Sequence, residues 1–143
     1  WEALGAGFSF RDVKSIAFGP GGAVYYGGMY SGGGGGYLKK WNGSAWSDVG
    51  AVNGEVKALV YDGTNGILYV GGAFSSADGV GTMSRIAQYT PATNTWSGVG
   101  AGVSNAVETL GLDSDGTLYA GGAFLSAGET TNGDTLINRI GKR

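Results

Sequence analysis

The sequence predicts an all-β fold of short antiparallel strands, and three observations carry that reading. One sentence recurs along the chain: Val24-Tyr25-Tyr26-Gly27-Gly28-Met29-Tyr30, Leu68-Tyr69-Val70-Gly71-Gly72-Ala73-Phe74 and Leu118-Tyr119-Ala120-Gly121-Gly122-Ala123-Phe124. The Gly-Gly pairs begin at 27, 71 and 121, a spacing of 44 and then 50 residues. Glycine supplies 31 of the 143 residues and aromatics 12%, a composition of turns and packed strands rather than of disorder or of collagen. Each repeat also holds several short apolar runs separated by turn residues. A period of roughly 40–50 residues with several strands per unit is that of a β-propeller blade.

Four strands are expected per repeat. The first is Val13–Phe18, matched by Val56–Tyr61 and Val107–Leu112. Small and apolar residues on both faces mark it as a strand pressed between neighbouring sheets. Tight turns follow at Gly19–Gly22, Asp62–Gly66 and Asp113–Gly116, where Gly, Asn and Asp supply positive φ. The Gly-Gly sentence is the second strand, and its glycines are expected to let a neighbour approach closely. After a variable loop comes the third strand: Tyr37–Trp41, Arg85–Tyr89 and Arg139–Arg143. Trp46–Gly50 and Trp96–Gly100 form the fourth.

The third repeat has no such segment after Arg143; its match is Trp1-Glu2-Ala3-Leu4-Gly5 at the other end. Residues 1–143 are thus read as one propeller unit of three four-stranded antiparallel blades, permuted within a blade. The repeats span approximately 6–50, 51–100 and 101–143, the last completed by 1–5. Three blades are too few to close a ring, because propellers carry roughly four to eight. Two chains give six blades, with Trp1 and Leu4 of each pairing beside Arg139 and Ile140 of the other in an inter-chain strand exchange. The competing reading makes the chain an excerpt of a longer repeat protein, or one completed by a partner. With no leader pattern before Trp1, the chain is expected to be a mature or trimmed product.

Charge and composition narrow the function. Net charge is −2 with no basic stripe, which gives no support for nucleic-acid binding. No apolar run approaches the roughly 18 residues of a membrane span. There is no cysteine and no histidine, so thiol chemistry, zinc-thiolate sites and the commonest general base are missing together. A serine triad lacks its histidine, and no catalytic set is assigned. The chain is expected not to be an enzyme and to carry no cofactor.

The order Trp-x-x-Leu/Val-Gly, Val-x-x-Ile/Leu, Leu-Tyr-x-Gly-Gly-x-Phe and Arg-Ile-x-x-Tyr resembles the tandem propeller repeats of bacterial secreted and surface proteins and of phage virion proteins. It is also similar, more distantly, to Kelch and galactose-oxidase-type blades. The first repeat departs from the pattern with Met29-Tyr30 and a short glycine-rich loop. The resemblance implies an extracellular, cell-surface or virion location and a structural or assembly role. Its partners would be a second copy, further blades or, for an adhesive module, surface glycans. It carries no shared active site onto this chain.

Two residue groups are candidates for binding. Asp12 and Glu55 each precede a first-strand valine. If that strand is innermost, as the resemblance implies, two chains would set four carboxylates around one channel mouth, where oxygen ligands suit Ca2+. The plainer alternative pairs them with Lys14 and Lys57 or leaves them facing water. The variable loops supply Asn53, Asn105, Asp78, Glu129, Asn132 and Asp134 as polar candidates for a recognition face, or as solvated loop residues. Asp113-Ser114-Asp115-Gly116 begins like a calcium loop, but position twelve is Phe124, so it is read as a turn. Trp1, Trp46 and Trp96 recur at one position and are expected to pack at the outer edge rather than to stack on sugars. Tyr25, Tyr69 and Tyr119 are expected in the core.

Overall fold

A computed structural model describes residues 1–5, 11–30, 34–81, 83–127 and 140–142, with backbone alone at Arg11 and 140–142. The described residues form eleven strands and one 3-10 turn, Pro20–Gly22, and no α-helix. The strands are β1 (Arg11–Phe18), β2 (Val24–Tyr30), β3 (Gly36–Trp41), β4 (Trp46–Val52), β5 (Val56–Asp62), β6 (Ile67–Gly72), β7 (Ile86–Thr90), β8 (Thr95–Gly98), β9 (Val107–Leu112), β10 (Leu118–Gly122) and β11 (Ile140–Lys142). They make three antiparallel sheets, one per sequence repeat, ordered β1-β2-β3-β4, β5-β6-β7-β8 and β9-β10-β11. Within each sheet the chain meanders, each strand hairpinned to the next.

The tight turns have the chemistry their sequences call for. Gly21, Gly22, Gly66 and Gly116 all adopt positive φ, between 65° and 81°. The Asp62 carboxylate accepts the backbone N–H of Thr64 and Asn65 and the side-chain amide of Asn65. Those bonds hold its pKa below the usual carboxylate value. Asp113 repeats the device in the third sheet, accepting from the N–H of Asp115 and Thr117 and from the Tyr119 hydroxyl. The Asp113 segment is a turn, as its sequence predicts.

All three sheets share one irregularity. Val13 faces Gly28, Val56 faces Gly72 and Val107 faces Gly122, and the pairing then skips one residue of the first strand. The skipped residues are Lys14, Lys57 and Glu108. A β-bulge of this kind bends the strand and re-aims the extra side chain. It also explains the Gly-Gly sentence. A Cβ on Gly28, Gly72 or Gly122 would strike the carbonyl oxygen of Asp12, Glu55 or Ala106. The first glycine of the pair has a different neighbour: a Cβ on Gly27 would strike Val56, and one on Gly71 would sit 2.6 Å from Val107 Cγ1. One glycine therefore admits the bulge of its own sheet, and the other admits the next sheet.

The core lies between consecutive sheets. Tyr25, Leu38, Val56, Leu68 and Phe74 belong to the cluster joining the first two sheets. Val107, Leu118, Ala120 and Phe124 join the third sheet to the second through Ile86 and Val99. Tyr25 stacks almost parallel on Tyr61, ring centroids 6.0 Å apart. Burial, with Tyr61 and Tyr89 close by, pushes the Tyr25 hydroxyl pKa up to about 12. Of the three repeated tyrosines expected in the core, Tyr25 is fully buried, Tyr69 partly so, and Tyr119 is exposed. The reason is position: Tyr119 stands on the face of the last sheet, which no other described sheet covers. Among the described residues no helix is long and apolar enough to cross a membrane.

Candidate functional site

The bulges gather charge into one row along the first strands. Lys14 Nζ lies 3.5 Å from Asp12 and 3.9 Å from Glu55. Lys57 Nζ lies 3.7 Å from Glu55 and donates to both Glu108 carboxylate oxygens at 2.7 and 2.9 Å. The hydrogen bond to Glu108 is the main reason the Lys57 pKa rises above its ordinary value. Asp12 and Glu55, the cation candidates of the sequence, thus each face a lysine ammonium. Among the described residues no group of three or more Asp or Glu side chains converges to hold a metal. Glu108 was not singled out by sequence. Its signal is the exchange of a lysine for an acid at a repeated position.

The loop candidates divide. Asn53 is spent on structure: its Oδ1 accepts the N–H of Ser75 and Ser76, and its Nδ2 donates to Ser75 Oγ. It ties the exit of β4 to the loop after β6, beside the bridge Val52–Ala77. Ser104 does the same for the next pair of sheets, accepting from the N–H of Leu125 and Ser126 beside the bridge Val103–Ala127. Sequence reasoning chose the neighbouring Asn105, whose Oδ1 accepts the N–H of Ala106. Both stapling residues follow a valine two or three residues after a Gly-Ala step, and that was the available signal. Asp78 is exposed at a left-handed φ of 48° and donates its backbone N–H to the Ala51 carbonyl. Glu129, Asn132, Asp134 and Arg139 lie outside the described residues.

The N-terminal segment has a geometry that repeats. Trp96 Nε1 donates to the Val49 carbonyl at 3.3 Å, from the fourth strand of the second sheet to that of the first. Trp46 Nε1 donates in the same way to the Leu4 carbonyl at 2.7 Å. Gly50 packs against the Trp96 indole, and Gly5 against Trp41 and Trp46. Leu4 and Gly5 therefore stand to the first sheet as Val49 and Gly50 stand to the second. Trp1–Gly5 is not itself a strand and pairs with no described strand of its own chain. Ile140, its expected neighbour in a second copy, pairs with Gly121 in the third sheet.

Two sheet faces are uncovered among the described residues. Val56 and Val107 are 0% exposed, whereas Val13 at the same position is 53% exposed. Ile16 is 52% exposed where Leu59 is 7%, and Phe18 is 70% exposed where Tyr61 stacks on Tyr25. At the opposite end the third sheet presents Tyr119, with Glu108 and Thr109 also exposed. The arrangement is chemically suited to association: apolar side chains at one end, and a glycine-bearing strand at the other. Compared with family models and with curated proteins, the chain matches none.

Proposed function

We propose that the chain is a non-enzymatic structural and assembly module, three blades of a β-propeller whose end faces are covered by further blades at an extracellular or virion surface. One observation carries this reading. A valine repeated three times is buried wherever a preceding sheet exists, and is half exposed where none does. Soluble proteins rarely leave large contiguous apolar patches open, so the face of Val13, Ile16 and Phe18 argues for a cover. The indole bond to Leu4 supports the same picture, because it matches the bond that Trp96 makes to the outer strand of the sheet before its own. A glycan-binding role for the loop face has less support, since Asn53 is committed to a staple between sheets.

The test is a tandem fusion of two copies in one chain. If further blades are what the faces require, the fusion binds less apolar dye per repeat and melts at a higher temperature than the 143-residue chain diluted until it is monomeric. Equal dye binding per repeat and an unchanged melting temperature overturn the reading.

A further inference from the structure

The geometry points to a second copy of this chain as the cover: the first sheet of one molecule docks on the third sheet of another, in the register already used twice inside each chain. This rests on the module reading above and names its partner. Each internal seam sets a first-strand valine on a second-strand glycine, Val56 on Gly27 and Val107 on Gly71. Continuing that series sets Val13 on Gly121. The aromatic stack of Tyr61 on Tyr25 becomes Phe18 on Tyr119, and both of those rings are exposed in the single chain. Leu59 N–H donates to the Ser15 hydroxyl across the first seam. Its counterpart, Ile16 N–H, meets the hydroxyl of Thr109, which stands at the position of Ser15.

Charge complementarity selects the second copy. The bulged positions read Lys14, Lys57, Glu108 along the chain. Across the first seam Lys14 and Lys57 share Glu55, and across the second Lys57 meets Glu108. Glu108 also offers its carboxylate, 49% exposed, to Lys14 of a second copy, 40% exposed. The row of alternating charges then continues unbroken across the seam. In the same register Trp1–Gly5 of one copy lies beside β11 of the other, as β4 lies beside β3. That supplies a fourth strand to the three-stranded sheet and removes an open edge. Two such seams, related by a two-fold axis, close a ring of six sheets.

The experiment is solution mass, by light scattering and native mass spectrometry, on the 143-residue chain and on Phe18→Glu, Tyr119→Lys and their equimolar mixture. Both side chains are exposed, and a lysine at 119 has Asp113 beside it, so each variant keeps the wild-type circular dichroism. The expected result is a wild-type dimer of two 14.4 kDa chains, at least tenfold weaker association for each variant alone, and recovery in the mixture. Recovery follows because one seam keeps Phe18 on Tyr119 while the other sets the new carboxylate on the new ammonium. A wild-type monomer, an open filament, or variants that dimerise undiminished overturn the proposal. The tandem fusion separates the two failures. If the single chain is monomeric but the fusion covers its faces, only the second-copy proposal falls; if the fusion leaves them dye-accessible, the module reading falls with it.

Discussion

Gly27 and Gly28 are adjacent, and each excludes a side chain for its own reason. Gly27 is crowded chiefly by the side chain of Val56, which belongs to the next sheet, and Gly28 by the backbone carbonyl of Asp12 in its own. A side chain can be trimmed and a carbonyl cannot. Gly27→Ala should therefore cost about 1–3 kcal/mol by overpacking, and Val56→Ala in the same molecule should recover part of that. Gly28→Ala should lose at least as much, and Val56→Ala should recover none of it. Denaturant melts of the singles and doubles check this, and equal rescue at both sites would sink the distinction. Asp62 is a second residue with a readable signature. Its folded pKa is depressed, so its contribution is present above the unfolded value near 4 and is lost as pH falls through the folded value. Asp62→Ala should cost about 1–3 kcal/mol at pH 7. The gap between wild type and variant should close in acid; a gap independent of pH counts against the carboxylate as its source.

At the scale of elements, the sheets are joined by strands and by loop staples. Asn53 and Ser104 each hold two successive backbone N–H groups of the following sheet's loop. Asn53→Ala should destabilise the protein by about 1 kcal/mol. It should also speed hydrogen exchange at Ser75 and Ser76 while leaving Leu125 and Ser126 unchanged; uniform acceleration would mean that the staple is not local. The indole bonds form a parallel series at the outer strands. Trp96→Phe removes the donor to Val49 inside the buried core, whereas Trp46→Phe releases the Leu4 carbonyl of the exposed N-terminal segment. The first change should lower the melting temperature more than the second in the isolated chain.

The three sheets follow one another in chain order, with a charge row along their first strands. Lys57 bridges the second sheet to the third, and its raised pKa is a stability statement. The contribution is fully present below the unfolded value, about 10.4, and is lost as pH rises through the higher folded value. Wild type should therefore lose stability above that range, and Lys57→Met should flatten the alkaline limb of the pH–stability curve. The Lys57 and Glu108 side chains are only partly buried, so salt should weaken the same effect. An alkaline limb identical in the two proteins would remove Lys57 from the account.

The sequence by itself determined the repeat, its strands and its turns, because these rest on local rules: period-two patterns, Gly and Asp in tight turns, and one sentence written three times. Strand ends came out within a residue or two for most elements. The second strands of the later repeats stop at Gly72 and Gly122, before Phe74 and Phe124 turn into the core, whereas β2 runs past its bulge to Tyr30. The matching of Trp1–Gly5 to Trp46–Gly50 was equally readable, and the indole bonds repeat it in space. Only the tertiary structure decided what the repeated residues do. Identical valines and equivalent tyrosines part company in burial because a sheet lies over one and not over another. The bulge was invisible because it depends on register between strands rather than on composition. It nonetheless sets which charges meet: Asp12 lies beside Lys14, and Glu55 between Lys14 and Lys57, the pairing that the sequence already offered as the plainer alternative.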